Sequence, residues 1–368
     1  MSSPGAPLSG LRPGPCSISP VRLPWRKPEV QESGGTAVAD PSEPLPELDQ
    51  LRAEIETLSE ANRNASDPER ERSILRARHL AGIRLMDAAP AAPTFPDTAR
   101  VHVAPGDPLP EFTRDELTPE LLRAAILRDG CVLVRGLVSA ERALGLVDGI
   151  DLAYAARERT ENGAVATDGW YEEFTPHERC ANVIFRSWIK EGGGLLGADS
   201  PRLTYLFTEA LADSGFGELV SGYLGEPALF SLGKTTMRKA EPSVSGQWHQ
   251  DGRFMGPVRS LNLWLSLSRC GDVAPGLDIV PRRLDDYLAT GTEGAALDWT
   301  ISDDQAQQAA GESGVIRPIF EPGDALLFDE VFLHKTGSDP SMPKPRYAIE
   351  NWFFGGSSFP ADYAPIAI

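Results

Sequence analysis

Trp248-His249-Gln250-Asp251, followed by the apolar run Leu261-Asn262-Leu263-Trp264-Leu265-Ser266-Leu267, is the stretch on which the fold turns. His249 and Asp251 stand at i and i+2, so on an extended strand both side chains point to the same face. A second histidine, His334, follows 85 residues after His249. One imidazole and one carboxylate on a strand end, joined by an imidazole from a distant strand, take three positions of an octahedral metal and leave three open. Non-haem Fe(II) sites use that donor set.

Working outward, short apolar runs separated by Pro, Gly and Asp turns recur at residues 228–232, 235–239, 261–267, 277–280, 316–320, 325–328, 332–335 and 347–354. Regular short strands with turn signals predict a mainly β fold, a sandwich or barrel. A double-stranded β-helix (a jelly-roll, cupin-like core) with flanking helices packed on one sheet fits best. Upstream, Thr118-Pro119-Glu120 caps a helix that ends at Asp129-Gly130, and residues 131–135 read as a buried strand. A helix from Ser139 to about residue 157 places Leu144, Val147 and Leu152 on its apolar side. Residues 163–197 read as loop around Trp170, Tyr171, Phe174 and Trp188, and helices follow at 201–212 and 216–224. The polar insertion at 290–314 reads as a surface loop or lid.

The N-terminal third differs. Residues 1–46 hold 10 of the 32 prolines, with many Gly and Ser, a composition that cannot offset its ordering entropy and predicts disorder. Residues 44–64 predict a helix with Leu48, Leu51, Ile55 and Leu58 along one stripe; a second follows Asp67 as N-cap, with Pro68 at N1, towards Met86. The two form a hairpin that docks on the main domain or on another copy as a route to a homo-oligomer, or stay solvated. With 88–110 as a linker, the chain divides into an extension, 1–110, disordered and partly helical, and a jelly-roll domain, 111–368.

Lys plus Arg number 35 against 53 Asp plus Glu, a net charge of −18. That balance disfavours nucleic acid and anionic membranes as partners. Cys16, Cys131, Cys180 and Cys270 are far apart with no C-x-x-C pair, so they read as neither a zinc site nor a disulfide framework. No segment approaches the ~20 apolar residues that span a bilayer, and a reducing, cytoplasmic setting is expected.

Of the five histidines, His79 and His102 lie in the N-terminal region and His177 in a polar loop, so elimination makes His334 the third donor. Arg346 enters the apolar run at 347–354, where one face turns its guanidinium inward. A buried Arg requires an anion, and the distal carboxylate of 2-oxoglutarate would supply one.

Trp248-His249-Gln250-Asp251, Leu261-Asn262-Leu263-Trp264-Leu265, Gly276-Leu277-Asp278-Ile279-Val280-Pro281, Pro322-Gly323-Asp324, His334-Lys335-Thr336-Gly337 and Arg346 together give residues 111–368 a further reading. This segment resembles the phytanoyl-CoA dioxygenase-like Fe(II)/2-oxoglutarate oxygenases. The resemblance implies iron held by His249, Asp251 and His334, with 2-oxoglutarate chelating the metal and pairing with Arg346. It also implies a supporting hydroxyl at Thr336 and Trp264 beside the co-substrate. O2 and a small molecule would be the substrates, with succinate and CO2 released. Where family members usually have Pro-Gly-Ser-His, this chain has Pro281-Arg282-Arg283-Leu284, which puts nearby substrate contacts in question. Arg253, Phe254 and Met255 are expected to border the cavity, and Trp170, Tyr171, Phe174 and Arg186 to lie on loops that close over it. No dense Lys/Arg cluster suggests a CoA ester, so a natural-product or amino-acid-like substrate is favoured. The rivals are a halogenase, which Asp251 opposes; a cupin-like isomerase or lyase, which leaves Arg346 unexplained; and a non-catalytic jelly-roll binding module.

Overall fold

The computed structural model describes residues 45–103, 108–165, 167–180, 186–244, 246–256, 258–360 and 363–368. The expectation of disorder over residues 1–46 falls almost wholly outside them, as does Cys16. Helix α1 (Leu48–Asn64) presents Leu51 inward, and α2 (Pro68–Asp87) starts where Asp67 accepts a hydrogen bond from the Arg70 amide at 2.8 Å. The two form the expected hairpin, and α2 packs on the C-terminal strand and on a later helix of the same chain. The division expected at residue 110 does not coincide with that of the structure, where one compact unit runs from Pro44 to Ile368. The reason is the buried face of α2, Ile74, Leu75, Ala77, Ala81 and Ile83, which has no other core to join.

The chain continues through β1 (Glu111–Thr113), α3 (Pro119–Asp129), β2 (Cys131–Arg135), α4 (Ala140–Glu161), α5 (Arg186–Glu191), β3 (Gly194–Leu196), α6 (Pro201–Asp213) and α7 (Phe216–Leu224). Pro119 at the first turn and Gly130 at φ 87° bound α3 as the sequence predicts. Helix α4 is rotated from expectation. Leu144 and Leu152 are 52% and 47% exposed, while Ala143, Leu146, Gly149, Ile150, Ala153 and Ala156 are buried. Small residues let α4 lie close: a Cβ at Gly149 would meet Leu203 of α6 at 2.8 Å.

Then come β4 (Ala228–Ser231), β5 (Thr236–Ala240), β6 (His249–Gln250), α8 (Gly252–Met255), β7 (Ser260–Ser266), β8 (Gly276–Ile279), α9 (Asp303–Ala310), β9 (Ala325–Phe328), β10 (Leu333–Gly337), β11 (Arg346–Gly355) and β12 (Pro365–Ala367). The larger sheet runs β1-β2-β9-β7-β11-β4-β12, with β5 also beside β11 and β3 beside β5. Its pairs are antiparallel except β1 with β2. The smaller sheet, β6-β10-β8, is extended by bridges from Trp248 to Ile301 and from Ile279 to Ile316. The fold is the jelly roll of two facing sheets, with helices over the outer face of the larger one. Residues 290–314, read as a surface loop, instead hold α9 and the strand-like bridge at Ile301, which makes them part of the smaller sheet's edge.

Strand alternation separates two cores. Leu261, Leu263 and Leu265 of β7 and Ile349 and Phe353 of β11 face the helices. Trp264 and Ala348 face inward between the sheets, with Leu277, Ile279, Phe328 and Phe332. Cys131 and Cys270 are buried free thiols.

His79, fully buried on α2, ties the hairpin to the C-terminal strand and to the loop that holds His177. Its Nδ1 lies 2.8 Å from the Pro365 carbonyl oxygen, and its Nε2 accepts from the His177 amide at 3.0 Å. Burial pushes its pKa down to about 4. Because the folded value lies below the unfolded one of about 6.5, stability is full above that pH and is lost as pH falls towards 4, by up to about 3 kcal/mol. We predict that His79→Gln, uncharged at every pH, flattens the fall in urea midpoint between pH 7 and pH 4.5 relative to wild type; an unchanged slope would contradict the tie.

Candidate metal centre

Pairing of β10 with β6 sets His334 directly opposite His249, with Leu333 opposite Gln250. Directly opposed residues share a face, and the two imidazole centroids lie 4.5 Å apart. Asp251 arrives differently from the sequence expectation. The strand stops at Gln250, and Asp251 has φ −58° and ψ −33°, opening the turn of α8. Its carboxylate still comes within 3.5 Å of His249 Nε2. The donor atoms of His249, Asp251 and His334 all lie within 4.8 Å of one another, and among the described residues this is the one group of three or more such side chains that converges.

The surroundings fix the chemistry of each donor. His249 Nδ1 sits 2.7 Å from the Gln247 carbonyl and His334 Nδ1 3.3 Å from that of Phe332, which assigns the proton to Nδ1 and leaves each Nε2 lone pair for a metal. His334 is packed by Phe328 and Phe332, with ring centroids at 4.8 and 6.0 Å. Burial, with His249 beside it, pushes its pKa down to about 4, so it is a neutral imidazole at physiological pH. Asn262 donates to Asp251 Oδ2 at 2.6 Å and accepts from the Ser260 hydroxyl at 2.9 Å; the Ser260 amide in turn donates to Glu330 at 3.1 Å. One carboxylate oxygen is thereby held and the other is turned to the histidines. Gln250 points the opposite way and fastens the 286–288 loop and the Val331 carbonyl, so the short strand cannot slide.

Arg346 begins β11 and is fully buried. Its Nη1 donates to the Gly276 carbonyl at 3.1 Å, and Glu350 lies 3.8 Å from Nη2. Among the described residues its Nε and Nη2 have no hydrogen-bond partner, nor has Nε1 of Trp264, whose ring lies 5.4 Å from the guanidinium carbon. Three buried donors facing one another call for an acceptor, and a carboxylate matches them. Thr336 follows His334 by two residues on β10, on the same face, and is half-buried; between it and Arg346 the described residues show no hydrogen bond.

Other expected contacts divide. Phe254 stands 6.1 Å from His249, ring to ring. Arg253 turns out to the Leu288 carbonyl, and Met255 packs with Leu229 and Trp352. Phe174 packs edge-on against His79, and Trp170 lies under Arg202. Arg186 pairs with Asp199, so these three are committed to the helical side. Tyr171 is buried in the helix-side core. Arg283 of the atypical turn is fastened to Asp329 and to the Ile126 carbonyl. Missed from sequence were Asn262 and Trp299. Asn262 carried a signal, a polar residue within the apolar run Leu261-Asn262-Leu263-Trp264-Leu265; Trp299, 6.3 Å from His249, carried none.

No family model and no curated protein sequence matches the chain. Among solved structures, it is similar to the epimerase SnoN in complex with Fe3+, alpha ketoglutarate and nogalamycin RO (16% identity, 64% of this chain and 83% of that one, TM-score 0.41). It is also similar to EctD from S. alaskensis with 2-oxoglutarate and 5-hydroxyectoine (15%, 73% and 83%, TM-score 0.45) and to AviO1 from Streptomyces viridochromogenes Tue57 (19%, 68% and 99%, TM-score 0.39). At these values the likenesses carry no argument about chemistry, which stands on the geometry above.

Asn262→Leu is predicted to leave the fold intact and to weaken Mn(II) or Fe(II) binding by roughly 10–100-fold, the usual effect of removing a side chain that orients a ligand. Calorimetric metal titration checks it; affinity equal to wild type would show that Asp251 needs no such support.

Proposed function

We propose that the chain is a non-haem Fe(II)/2-oxoglutarate-dependent dioxygenase that oxidises a small molecule, most simply by hydroxylation, with release of succinate and CO2. The observation that carries this reading is the buried Arg346, with two unmatched nitrogens and the unmatched Trp264 N–H beside it, in the same inter-sheet space as the His249, Asp251 and His334 cluster. The three donors suit Fe(II): two imidazole nitrogens and one carboxylate oxygen, with positions left for co-substrate and O2. A metal site without Arg346 would fit an isomerase or lyase equally; the unmatched guanidinium favours a carboxylate co-substrate.

When bound, Fe(II) with 2-oxoglutarate supplies the oxidising power, and the protein supplies position and exclusion of water. His249 and His334 would hold the metal through Nε2 while each Nδ1–H stays hydrogen-bonded to a backbone carbonyl. Asp251 donates through the oxygen that Asn262 does not hold. Arg346 would receive the distal carboxylate of 2-oxoglutarate, with Trp264 Nε1 as a further donor and the Thr336 hydroxyl as its proposed assistant. Phe328 and Phe332 keep water from His334. Phe254 and Trp299 line the side of His249, the most exposed of the three donors with 25% of its side chain accessible.

His249→Ala and His334→Ala are expected to abolish iron binding and succinate release, while His177→Ala retains iron; near-stoichiometric iron in the His334 variant would contradict the cluster. Arg346→Gln loses the charge and the fork that pairs a carboxylate. It should raise the KM for 2-oxoglutarate at least about tenfold, the effect of one lost charge-assisted hydrogen bond of about 1.5 kcal/mol, and leave the substrate KM near wild type. Equal effects on both would mark a structural arginine.

A further inference from the structure

Ala348 separates two charged residues, Arg346 and Glu350, on the inward face of β11. Four residues at about 3.3 Å each put the two backbones roughly 13 Å apart, yet Glu350 Oε1 stands 3.8 Å from Arg346 Nη2. The two side chains therefore reach towards each other along the strand, over the small Ala348. Arg238 of β5 comes in from the side. It pairs in register with Ala348, which sets it diagonal to both Arg346 and Glu350, within reach of long side chains. Its Nε and Nη2 donate to the two Glu350 carboxylate oxygens, each at 2.8 Å, and its Nη1 donates to the Gly192 carbonyl. Glu350 Oε1 thus faces two guanidinium groups, bonded to that of Arg238 and standing off from that of Arg346.

This geometry puts a carboxylate of the chain beside the place where a ligand carboxylate would meet Arg346. Burial pushes the Glu350 pKa up, and Arg238, with Arg346 and His334, pulls it further down, so the group carries its charge. Without Arg238 it would oppose the ligand in two ways. Its charge would repel a second carboxylate on the same guanidinium. Its side chain, 31% accessible, would also be free to close the remaining distance and fill the Arg346 fork itself. The two-pronged bond to Arg238 is directional and prevents both, and the Gly192 carbonyl fixes the Arg238 guanidinium from its other side.

We propose that Arg238 is a positioning residue for the co-substrate: by holding Glu350 it keeps Arg346 open to the distal carboxylate of 2-oxoglutarate, and Glu350 becomes an internal competitor for Arg346 when that hold is lost. This rests on the oxygenase reading above and adds a second arginine to it, one that acts through Glu350 and not by touching the ligand. The opposite use of the same three side chains, with Glu350 needed to orient Arg346, requires that Glu350→Gln weaken the co-substrate. The proposal requires that it does not.

The test uses the full chain loaded with Mn(II) and two keto acids of equal length, 2-oxoglutarate and 2-oxopentanoate. The second has a methyl group in place of the distal carboxylate. Each is titrated by calorimetry, so the ratio of the two affinities reads the distal carboxylate alone. The wild type is expected to prefer 2-oxoglutarate at least about tenfold, or about 1.4 kcal/mol. Arg238→Met should bring the ratio to near one with 2-oxopentanoate affinity unchanged, and adding Glu350→Gln to it should restore the preference. Glu350→Gln alone should keep or raise the ratio, because Arg238 then remains as a second cation. An Arg238→Met variant that keeps the preference, a double variant that does not regain it, or a Glu350→Gln variant that loses it would overturn the assignment. Should Arg238→Met not fold, Glu350→Gln decides alone, retention supporting the proposal and loss overturning it. Bound Mn(II) and the wild-type ratio separate the two claims. A wild type without metal or without the preference contradicts the oxygenase reading and this proposal with it, whereas a metal-loaded wild type with the preference, whose variants miss these outcomes, contradicts Arg238 alone.

Discussion

Antiparallel pairing of two residues of β6 with the start of β10 is the constraint on which the site depends. Pairing opposes His249 to His334, and a slip of β6 by one residue would turn His249 to the other face and bring Gln250 inward, away from the register that sets the two imidazoles together. The register is secured from outside the site. Gln250 grips the Val331 carbonyl and the 286–288 loop, and Trp248 is tied through its bridge to Ile301 and its indole bond to Asp303 at 2.7 Å. The strand is short because its work is finished at Gln250; the turn that follows carries Asp251 to the histidines.

The larger sheet contributes the floor. Its outward residues are apolar and commit to the helices, which leaves the inward positions of β7 and β11 for polar chemistry: Asn262 under Asp251, Trp264 beside Arg346, and Glu350 with Arg238 between the two ends. Placing charge here is costly unless it is paired. Glu350 and Arg238 meet that condition within the chain. Arg346 does so only in part, which is why a ligand carboxylate is the natural complement. In the proposed reading, the Arg346 end of β11 is where the co-substrate carboxylate is received.

Much of this was legible in the sequence because the signals were local. Thr118-Pro119 and Asp129-Gly130 bracket a helix by capping chemistry alone, Asp67-Pro68 does the same, and His-x-Asp with a distal His identifies residues that the structure brings together. The failures were of another kind. Helix α4 buries alanines and glycine in preference to Leu144 and Leu152, because close approach to α6 rewards small side chains, and hydropathy does not record distance. The extension was set apart at residue 110 because the Pro-rich stretch at 88–110 reads as a linker, yet α2 finds its core on the C-terminal strand nearly three hundred residues away. Trp299 was silent for the same reason: it gains its meaning only from partners brought in by the fold, His249 and Phe254.

The claim that one metal and one dicarboxylate occupy this space together is tested most directly by anaerobic titration. Fe(II) is added to the metal-free chain, followed by 2-oxoglutarate, and the visible charge-transfer absorption of a keto acid chelated to Fe(II) is recorded. The account predicts saturation at one Fe(II) per chain, with the band appearing only when both are present and 2-oxoglutarate binding much more tightly once the metal is in place. Iron that binds without producing the band, or 2-oxoglutarate affinity indifferent to iron, would contradict it.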